Sequence, residues 1–231
     1  GWRVIATVRD LGDAGELQAL AAARKNVTVE KMDITEGEDV DAVAARHRGE
    51  AIDLLINNAA YLGPRGKAEF AALDWDLFED SFETNAIGPM RVTRAFADNV
   101  AASRGKRILT LSSGAASIAG LNNAPVQFYQ YRASKAALNM LMRGAALDLA
   151  PRGIVVGLVN PGLVDTRGIM KLGPGDPVPD EFAPVMPLIK AGVIKLITPA
   201  ESVAAMMKLI AGMKPEDSGR FLNYDGTPMA W

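Results

Sequence analysis

Two periodicities alternate along the chain. Short β-branched or apolar runs, "RVIATV" (3–8), "VTVEKMDI" (27–34), "IDLLINN" (52–58), "KRILTLSS" (106–113) and "GIVVGLVNPG" (153–162), are separated by stretches whose apolar residues recur at helical spacing. The helical stretches include "AGELQALAAARK", "GEDVDAVAARH", a long region from about Asp74 to Ala102, and another from about 128 to 150. Repetition of strand, helix and strand predicts a doubly wound α/β fold, a parallel sheet with helices on both faces. Near-continuous apolar strands such as "DLLI" and "IVVGLV" agree, because strands of that kind are buried on both sides. A helix over about Ala200 to Ala211 and a last strand and turn in "GRFLNYDG" complete the expected elements.

Between Lys171 and Pro199 the pattern breaks. The segment "KLGPGDPVPDEFAPVMPLIKAGVIKLITP" is rich in Pro and Gly and long for a connection inside a compact domain. Its apolar residues Phe182, Val185, Met186, Leu188 and Ile189 favour a lid, at about 168–198, over a solvated linker. A length of 231 residues, 49% of them hydrophobic, suits a single domain over 1–231 with a large core.

Composition narrows the chemistry. The net charge of -2, with Lys and Arg scattered, offers no basic surface for nucleic acid or anionic lipid. The absence of cysteine excludes disulfides, a thiolate nucleophile and Cys-ligated metal. The single histidine, His47, argues against a His-based metal site or a Ser-His pair and is expected at the surface; no metal is expected. No apolar run approaches the roughly 20 residues that span a bilayer, and the start lacks a signal-peptide pattern. A soluble, cytoplasmic protein without a membrane partner is the expectation.

In open α/β sheets ligands gather beyond the carboxyl ends of the strands. The polar strand ends here are Arg9 and Asp10, Asn57 and Asn58, Ser112 and Ser113, and Asn160 with Pro161 and Gly162. The helix after the serine strand opens with "YRASK", which places Tyr131 and Lys135 one turn apart on one face. A cation beside a phenol favours the phenolate, and this helix can carry both groups back over Ser112 and Ser113. Tyr129 lacks such a partner, because position 133 is Ala. Alone, a Tyr-x-x-x-Lys pair is equally an ordinary exposed helix pair.

Five elements in order change that reading: "NNAA" (57–60), "TNAIG" (84–88), "LSSGAAS" (111–117), "YRASK" (131–135) and "NPGLVDT" (160–166). Together they resemble the short-chain dehydrogenase/reductases, and the ending "GRFLNYDGTPMAW" is similar to the carbonyl-reductase-like branch. The resemblance implies a Rossmann-like fold and NADP(H)-dependent reduction of a ketone or aldehyde, or oxidation of the matching alcohol, with a small-molecule substrate. It implies Tyr131 as the acid, Lys135 as the group that tunes it and holds the nicotinamide ribose, and Ser113 as donor to the substrate oxygen. Asn85 would fix a water that relays protons past Lys135. Such a site needs an acid bonded to the carbonyl oxygen and a dipole that polarises it. Cofactor contacts are implied at Arg9, Asp33, Ile34, Asn57, Ala59, Tyr131, Lys135, Pro161, Gly162, Val164 and Thr166.

A guanidinium at Arg9 would pair with a 2′-phosphate, which favours NADP(H), whereas a shift of one position to Asp10 would reverse the preference. Ala60 stands where the family has Gly. The resemblance also implies a homodimer or homotetramer through the helices at 74–102 and 128–150. Leu138, Leu141, Met142 and Leu149 are candidate contact residues, unless they pack on their own sheet.

Family members begin with a strand and a TGxxxGxG turn that binds the pyrophosphate, and this sequence contains no such motif. "RVIATV" corresponds to the family's second strand, so the chain reads as N-terminally truncated relative to the family. The strand order 3-2-1-4-5-6 puts the missing strand between "RVIATV" and "LLINN". Unpaired backbone groups cost about 1–3 kcal/mol each when buried, so the gap is expected to be filled or closed. A natural N-terminus beyond the sequence, another part of the chain or a partner molecule could fill it. Two other functions remain open: a cofactor-free esterase-like hydrolase built on Ser113, Tyr131 and Lys135, and a non-catalytic assembly protein.

Overall fold

A computed structural model describes residues 1–63, 70–121, 128–166, 168–179, 182–183 and 185–231. The apolar runs form parallel strands: β1 (Val4–Val8), β2 (Val27–Lys31), β3 (Leu54–Asn57), β4 (Arg107–Leu111), β5 (Val155–Asn160) and β8 (Phe221–Asn223). Between them lie α1 (Gly15–Ala23), α2 (Gly37–Arg46), α3 (Trp75–Phe82), α4 (Gly88–Ala101), α5 (Tyr129–Leu149) and α7 (Pro199–Gly212). Strands β3-β4-β5-β8 form one sheet in that order, and β1-β2 form another. The expected α/β architecture is present.

Alternate residues of each strand face opposite layers. Ile108, Val156 and Leu158 pack with Val100 of α4 and Leu138 and Met142 of α5. Leu109 and Val159 meet Met206 and Ile210 of α7 on the other side. Leu138 and Met142 are therefore core residues, and Leu149 is partly buried against the same cluster, so these three are not a free contact surface; Leu141 is exposed. Helix ends follow local rules. Thr198 caps α7, accepting from the Glu201 amide at 3.2 Å while the Glu201 carboxylate accepts from the Thr198 amide at 2.8 Å. Beyond α5, Pro151 lies in a 3-10 turn that closes on Gly153 at φ 74°.

The segment at 168–198 carries structure of its own. A 3-10 turn at Ile169–Lys171 is followed by α6 (Met186–Lys190) and β7 (Leu196–Ile197), which pairs in parallel with β6 (Leu163–Val164). Ile169 and Phe182 are buried and Leu188 is exposed. Positions 180, 181 and 184 of the expected lid lie outside the described residues. No helix among the described residues is long and apolar enough to cross a membrane.

The gap expected between β1 and β3 is present and is neither filled nor closed by the described residues, since the two strands do not pair. Side chains hold the β1-β2 unit in place instead. Met32, just after β2, joins Val40 and Val43 of α2 and Val92 and Phe96 of α4 in one cluster. His47 supplies a second tie and corrects the surface expectation, being only 8% exposed. Its Nε2 lies 2.6 Å from Glu30 Oε1 and its Nδ1 lies 3.2 Å from Glu50 Oε1. The reason is helical phase: Val40, Val43 and His47 follow the i, i+3, i+7 stripe that turns inward. Arg46 reaches Glu30 at 2.7 Å and Arg3 reaches Glu50 at 2.9 Å. Burial pushes the Glu30 carboxyl up, but Arg46 and His47 outweigh it and the group lies below its ordinary value.

Replacement His47→Ala removes both contacts of this clasp. The expected cost is about 1–2 kcal/mol in urea denaturation, and amide exchange should accelerate in β1 and β2 before β4 or β5. A depressed Glu30 adds stability above its unfolded pKa that is lost as pH falls through the folded value. Acid should therefore loosen the β1-β2 unit first in the wild type, and this selectivity should shrink in Glu30→Gln.

Candidate active site

Strand β4 ends at Leu111, and the chain turns through Ser112 and Ser113 into a 3-10 turn at Gly114–Ala116. Ser112 points inward and donates to Asn139 Oδ1 of α5 at 2.6 Å. Ser113 caps the turn, its Oγ accepting from the Ala115 amide at 3.1 Å. The Ser113 hydroxyl stands close enough to the Tyr131 phenol to lower its pKa. One helical turn further along α5, Lys135 is 2% exposed and donates from Nζ to the Leu111 carbonyl at 2.9 Å. Its Nζ lies 5.9 Å from the centre of the Tyr131 ring. Serine, phenol and amine thus share one crevice at the end of β4.

Electrostatics here differ from the expectation that Lys135 acidifies Tyr131. Burial raises the phenol's pKa, and the Ser113 hydroxyl offsets it only in part. The same burial lowers Lys135 to about 8. The ammonium's hydrogen bond goes to the Leu111 carbonyl, and desolvation acts on both groups in the direction that disfavours charge. At neutral pH the phenol holds its proton.

Asn85 sits in a π turn, Glu83–Ile87, inserted between α3 and α4. Pro89, four residues on, brings no N–H to the Asn85 carbonyl and crowds it, which accounts for the local departure from α geometry. The side chain is fully buried and committed: Nδ2 donates to the Tyr61 carbonyl at 2.7 Å and to Ser134 Oγ at 3.0 Å, and Oδ1 accepts from the Tyr61 amide at 2.7 Å. Ser134 Oγ donates in turn to the Tyr131 carbonyl at 3.0 Å. Asn85 therefore joins the chain after β3 to the helix that carries Tyr131. Gly88 permits this packing, because a Cβ there would lie 2.8 Å from Ile34 Cδ1.

The residues expected at the cofactor are distributed along the same edge. Ile34, Asn57 and Ala59 line a cavity of about 490 Å³ between β1 and β3. Asn57 is buried and donates to Thr93 Oγ1 at 2.9 Å and Thr110 Oγ1 at 3.3 Å, which fixes the end of β3. Asp33 Oδ1 accepts from the Thr35 amide and hydroxyl. Arg9 is exposed beyond β1, while the neighbouring Asp10 carboxylate accepts from the Gly12 amide at 2.8 Å. Pro161, Gly162, Val164 and Thr166 lie beyond β5, in a segment pinned by Ser202 Oγ donating to the Pro161 carbonyl at 2.7 Å and by β6-β7 pairing. Gly162 adopts φ 84°, and a Cβ there would meet the Tyr224 ring at 2.9 Å.

Asn160 is a site-shaping residue to which the sequence reading assigned no role. Its Oδ1 accepts from the Gly114 amide at 3.1 Å and the Gly162 amide at 3.3 Å, and its Nδ2 donates to Asn223 Oδ1 at 2.9 Å. It ties the serine turn to the Pro-Gly segment. A polar residue ending a run of five buried ones was the available signal.

These residues can be tested against a nicotinamide dinucleotide. The three N–H groups of Lys135 exceed the single carbonyl bond described for it, and the cavity at Ile34, Asn57 and Ala59 opens at the strand ends. The amine fits the nicotinamide ribose of such a group, whereas the cavity is the space between β1 and β3. A glycine-rich pyrophosphate turn is not in the sequence.

Comparison with known proteins gives the same picture. A family profile described as enoyl-(acyl carrier protein) reductase matches residues 1–214. The 1-hydroxy-2-glutathionyl-2-methyl-3-butene dehydrogenase of Rhodococcus sp. is 32% identical over 96% of this chain and 92% of its own length. Among solved structures, the NADPH-bound carbonyl reductase from chicken fatty liver superposes with a TM-score of 0.82 at 31% identity, covering 100% of this chain and 88% of that one. A Burkholderia multivorans protein of the short-chain dehydrogenase/reductase type, solved with bound NADP, gives 0.77 at 31%, covering 100% and 89%.

Burial of Lys135 predicts a pH signature. Below about pH 8 the amine is charged in both folded and unfolded chains; between about 8 and 10.5 only the unfolded chain keeps the proton, so stability rises with pH. The rise should reach roughly 2–3 kcal/mol by pH 10, measured by urea denaturation at closely spaced pH values, and Lys135→Met should flatten it. Above pH 10 the raised Tyr131 acts in the opposite sense.

Proposed function

Because the chain belongs to the short-chain dehydrogenase/reductase family, and is carbonyl-reductase-like within it, we propose that it reduces a ketone or aldehyde with NADPH, or oxidises the matching alcohol, using Tyr131 as acid and base. The observation that carries this reading is the Ser113 hydroxyl standing beside the Tyr131 phenol, with the buried Lys135 amine next to them. When bound, NADPH supplies a hydride to the carbonyl carbon. Ser113 and Tyr131 hold the carbonyl oxygen between two hydroxyls, and Tyr131 delivers its proton there. A phenol raised by burial keeps that proton at neutral pH, which suits the reductive direction. Lys135, at about 8, exchanges protons near neutrality and can resupply the phenol. The Asn85 carbonyl, denied an N–H by Pro89, is the acceptor for a relay water leading away from Lys135.

Support for NADP over NAD comes from Arg9. Its neighbour Asp10 is engaged in its own turn, which leaves the guanidinium as the group to meet a 2′-phosphate. Asp33, Ile34, Asn57 and Ala59 would line the adenosine end, and Pro161, Gly162, Val164 and Thr166 the nicotinamide end. The chain acts as one domain in this reading, with 168–198 covering the substrate. The protein works as a homodimer or homotetramer. Met140 and Leu147 of α5 are 73% and 70% exposed, lie seven residues apart and flank Gly144, an apolar face at helical spacing suited to a second copy.

Two measurements test this. NADPH titration followed by fluorescence should show binding, and turnover of ketones should fall by about 10²–10⁴-fold in Tyr131→Phe with the far-ultraviolet spectrum unchanged. Undiminished turnover in that variant, or p-nitrophenyl acetate hydrolysis without NADPH binding, would overturn the mechanism. In sedimentation velocity the wild type should run as a dimer or tetramer, and Leu147→Glu should shift it toward monomer.

A further inference from the structure

Strand β8 forms the edge of its sheet, and the residues after it fold back along that edge. The reversal is local: the Asp225 carboxylate accepts from the Thr227 amide at 3.0 Å and its hydroxyl at 2.7 Å, and Gly226 takes φ 89°. The returning chain pairs antiparallel with β8, the Asn223 amide donating to the Thr227 carbonyl at 2.8 Å and the Met229 amide to the Phe221 carbonyl at 2.9 Å. The edge strand is thus covered by its own chain.

Two positions further on, Trp231 is held by its ring. The ring centre lies 5.7 Å from that of the buried Phe221 and 5.2 Å from the Arg143 guanidinium of α5. Arg143 is itself fixed, because its Nη1 donates to the Gly219 carbonyl at 2.9 Å. Trp231 therefore has a rigid seat between β8 and α5.

What the seat holds is the chain leaving the candidate site. The Trp231 main-chain oxygen accepts from the Ala119 amide at 2.8 Å, and Ala119 lies on the segment that runs from Ser113 toward Tyr131. Among the described residues, every other hydrogen bond donated by a backbone amide of 115–121 goes to a partner within three positions. Local bonds shape a segment without fixing where it lies; the bond to Trp231 fixes it. Met229 adds a second contact, since a Cβ on Gly114 would lie 3.8 Å from its Cε. Ile118 and Leu121, on either side of Ala119, are exposed apolar side chains.

We propose that Trp231 is a positioning residue that decides which carbonyl compounds the site admits. Seated on Phe221 and Arg143, it holds Ala119 and so sets where Ile118 and Leu121 stand relative to Ser113. This proposal rests on the reductase reading. Loss of the seat leaves the reactive groups in place, because Lys135 is tied to the Leu111 carbonyl and Ser113 to the Ala115 amide by contacts of their own. It frees the apolar wall instead. Carbonyl compounds with a bulky apolar group lean on that wall, and small ones do not.

The test uses the full chain and two α-diketones, diacetyl and benzil, which share a reacting group and differ in apolar bulk. In Trp231→Ala the Ala119 amide should exchange about tenfold or more faster, while amides of β4 and β5 keep their rates. The KM for benzil should rise about tenfold, with kcat, the KM for diacetyl and NADPH affinity all within about twofold of the wild type. Trp231→Phe, which keeps a ring on Phe221, should restore both properties, and Arg143→Gln should move both part of the way. Because Trp231 is 40% exposed, its replacement hollows no core. Unchanged Ala119 exchange, acceleration spread over β4 and β5, equal changes for the two diketones, or a Trp231→Phe variant that behaves like Trp231→Ala would overturn the proposal. A wild type that reduces neither diketone would instead sink the reductase reading, and the substrate claim with it. Ala119 exchange, measured without NADPH, judges the anchor separately.

Discussion

A buried amine fixes the geometry of the candidate site. Lys135 carries a charge into a place where charge is disfavoured, and its hydrogen bond to the Leu111 carbonyl is the described compensation. That bond pins the first turns of α5 to the end of β4. Two residues beyond Leu111 stands Ser113, and one helical turn before Lys135 stands Tyr131, so the two contacts run as matched rungs. Any shift of α5 along the strand end that separated Ser113 from Tyr131 would also strip the amine of its acceptor. The cost of burial thereby becomes a positional constraint on the reactive hydroxyls.

How much of this was legible depended on the range of the interaction. The strands were readable because β-branched runs at 3–8, 27–34, 106–113 and 153–162 are local features, and Tyr131 with Lys135 because their spacing is one helical turn. Burial raises the phenol in the structure, and the spacing of an isolated pair of side chains carries no information about desolvation. Leu138 and Met142 were ambiguous for a related reason: α5 is apolar on more than one face, and only the tertiary fold says which face meets the sheet. The β6-β7 pairing joins two-residue strands more than thirty positions apart, and no local periodicity marks it. His47 and Asn85 were different, since the phase with Val40 and Val43 and the Pro at position 89 were both present to be read.

Among the described residues, the β1-β2 pair meets the rest of the fold through side chains. Strands β3, β4, β5 and β8 are joined by continuous ladders, whereas β1-β2 is attached through the Met32 cluster and the clasp of Glu30, His47 and Glu50. Ladders are periodic and tolerate substitution; a clasp depends on a few atoms.

The π turn at Glu83–Ile87 sets the angular bookkeeping between two helices. Leu77 and Phe96 are both buried and lie 19 positions apart, one more than the roughly 18 that make five α-helical turns. The surplus residue is absorbed where the ladder widens, so that each helix keeps its apolar side inward. Excision of one residue from that turn would rotate α4 against α3 by about 100°. In that sense the widened turn acts as a phase corrector, and the asparagine at its centre is held where two otherwise incompatible helical frames are spliced.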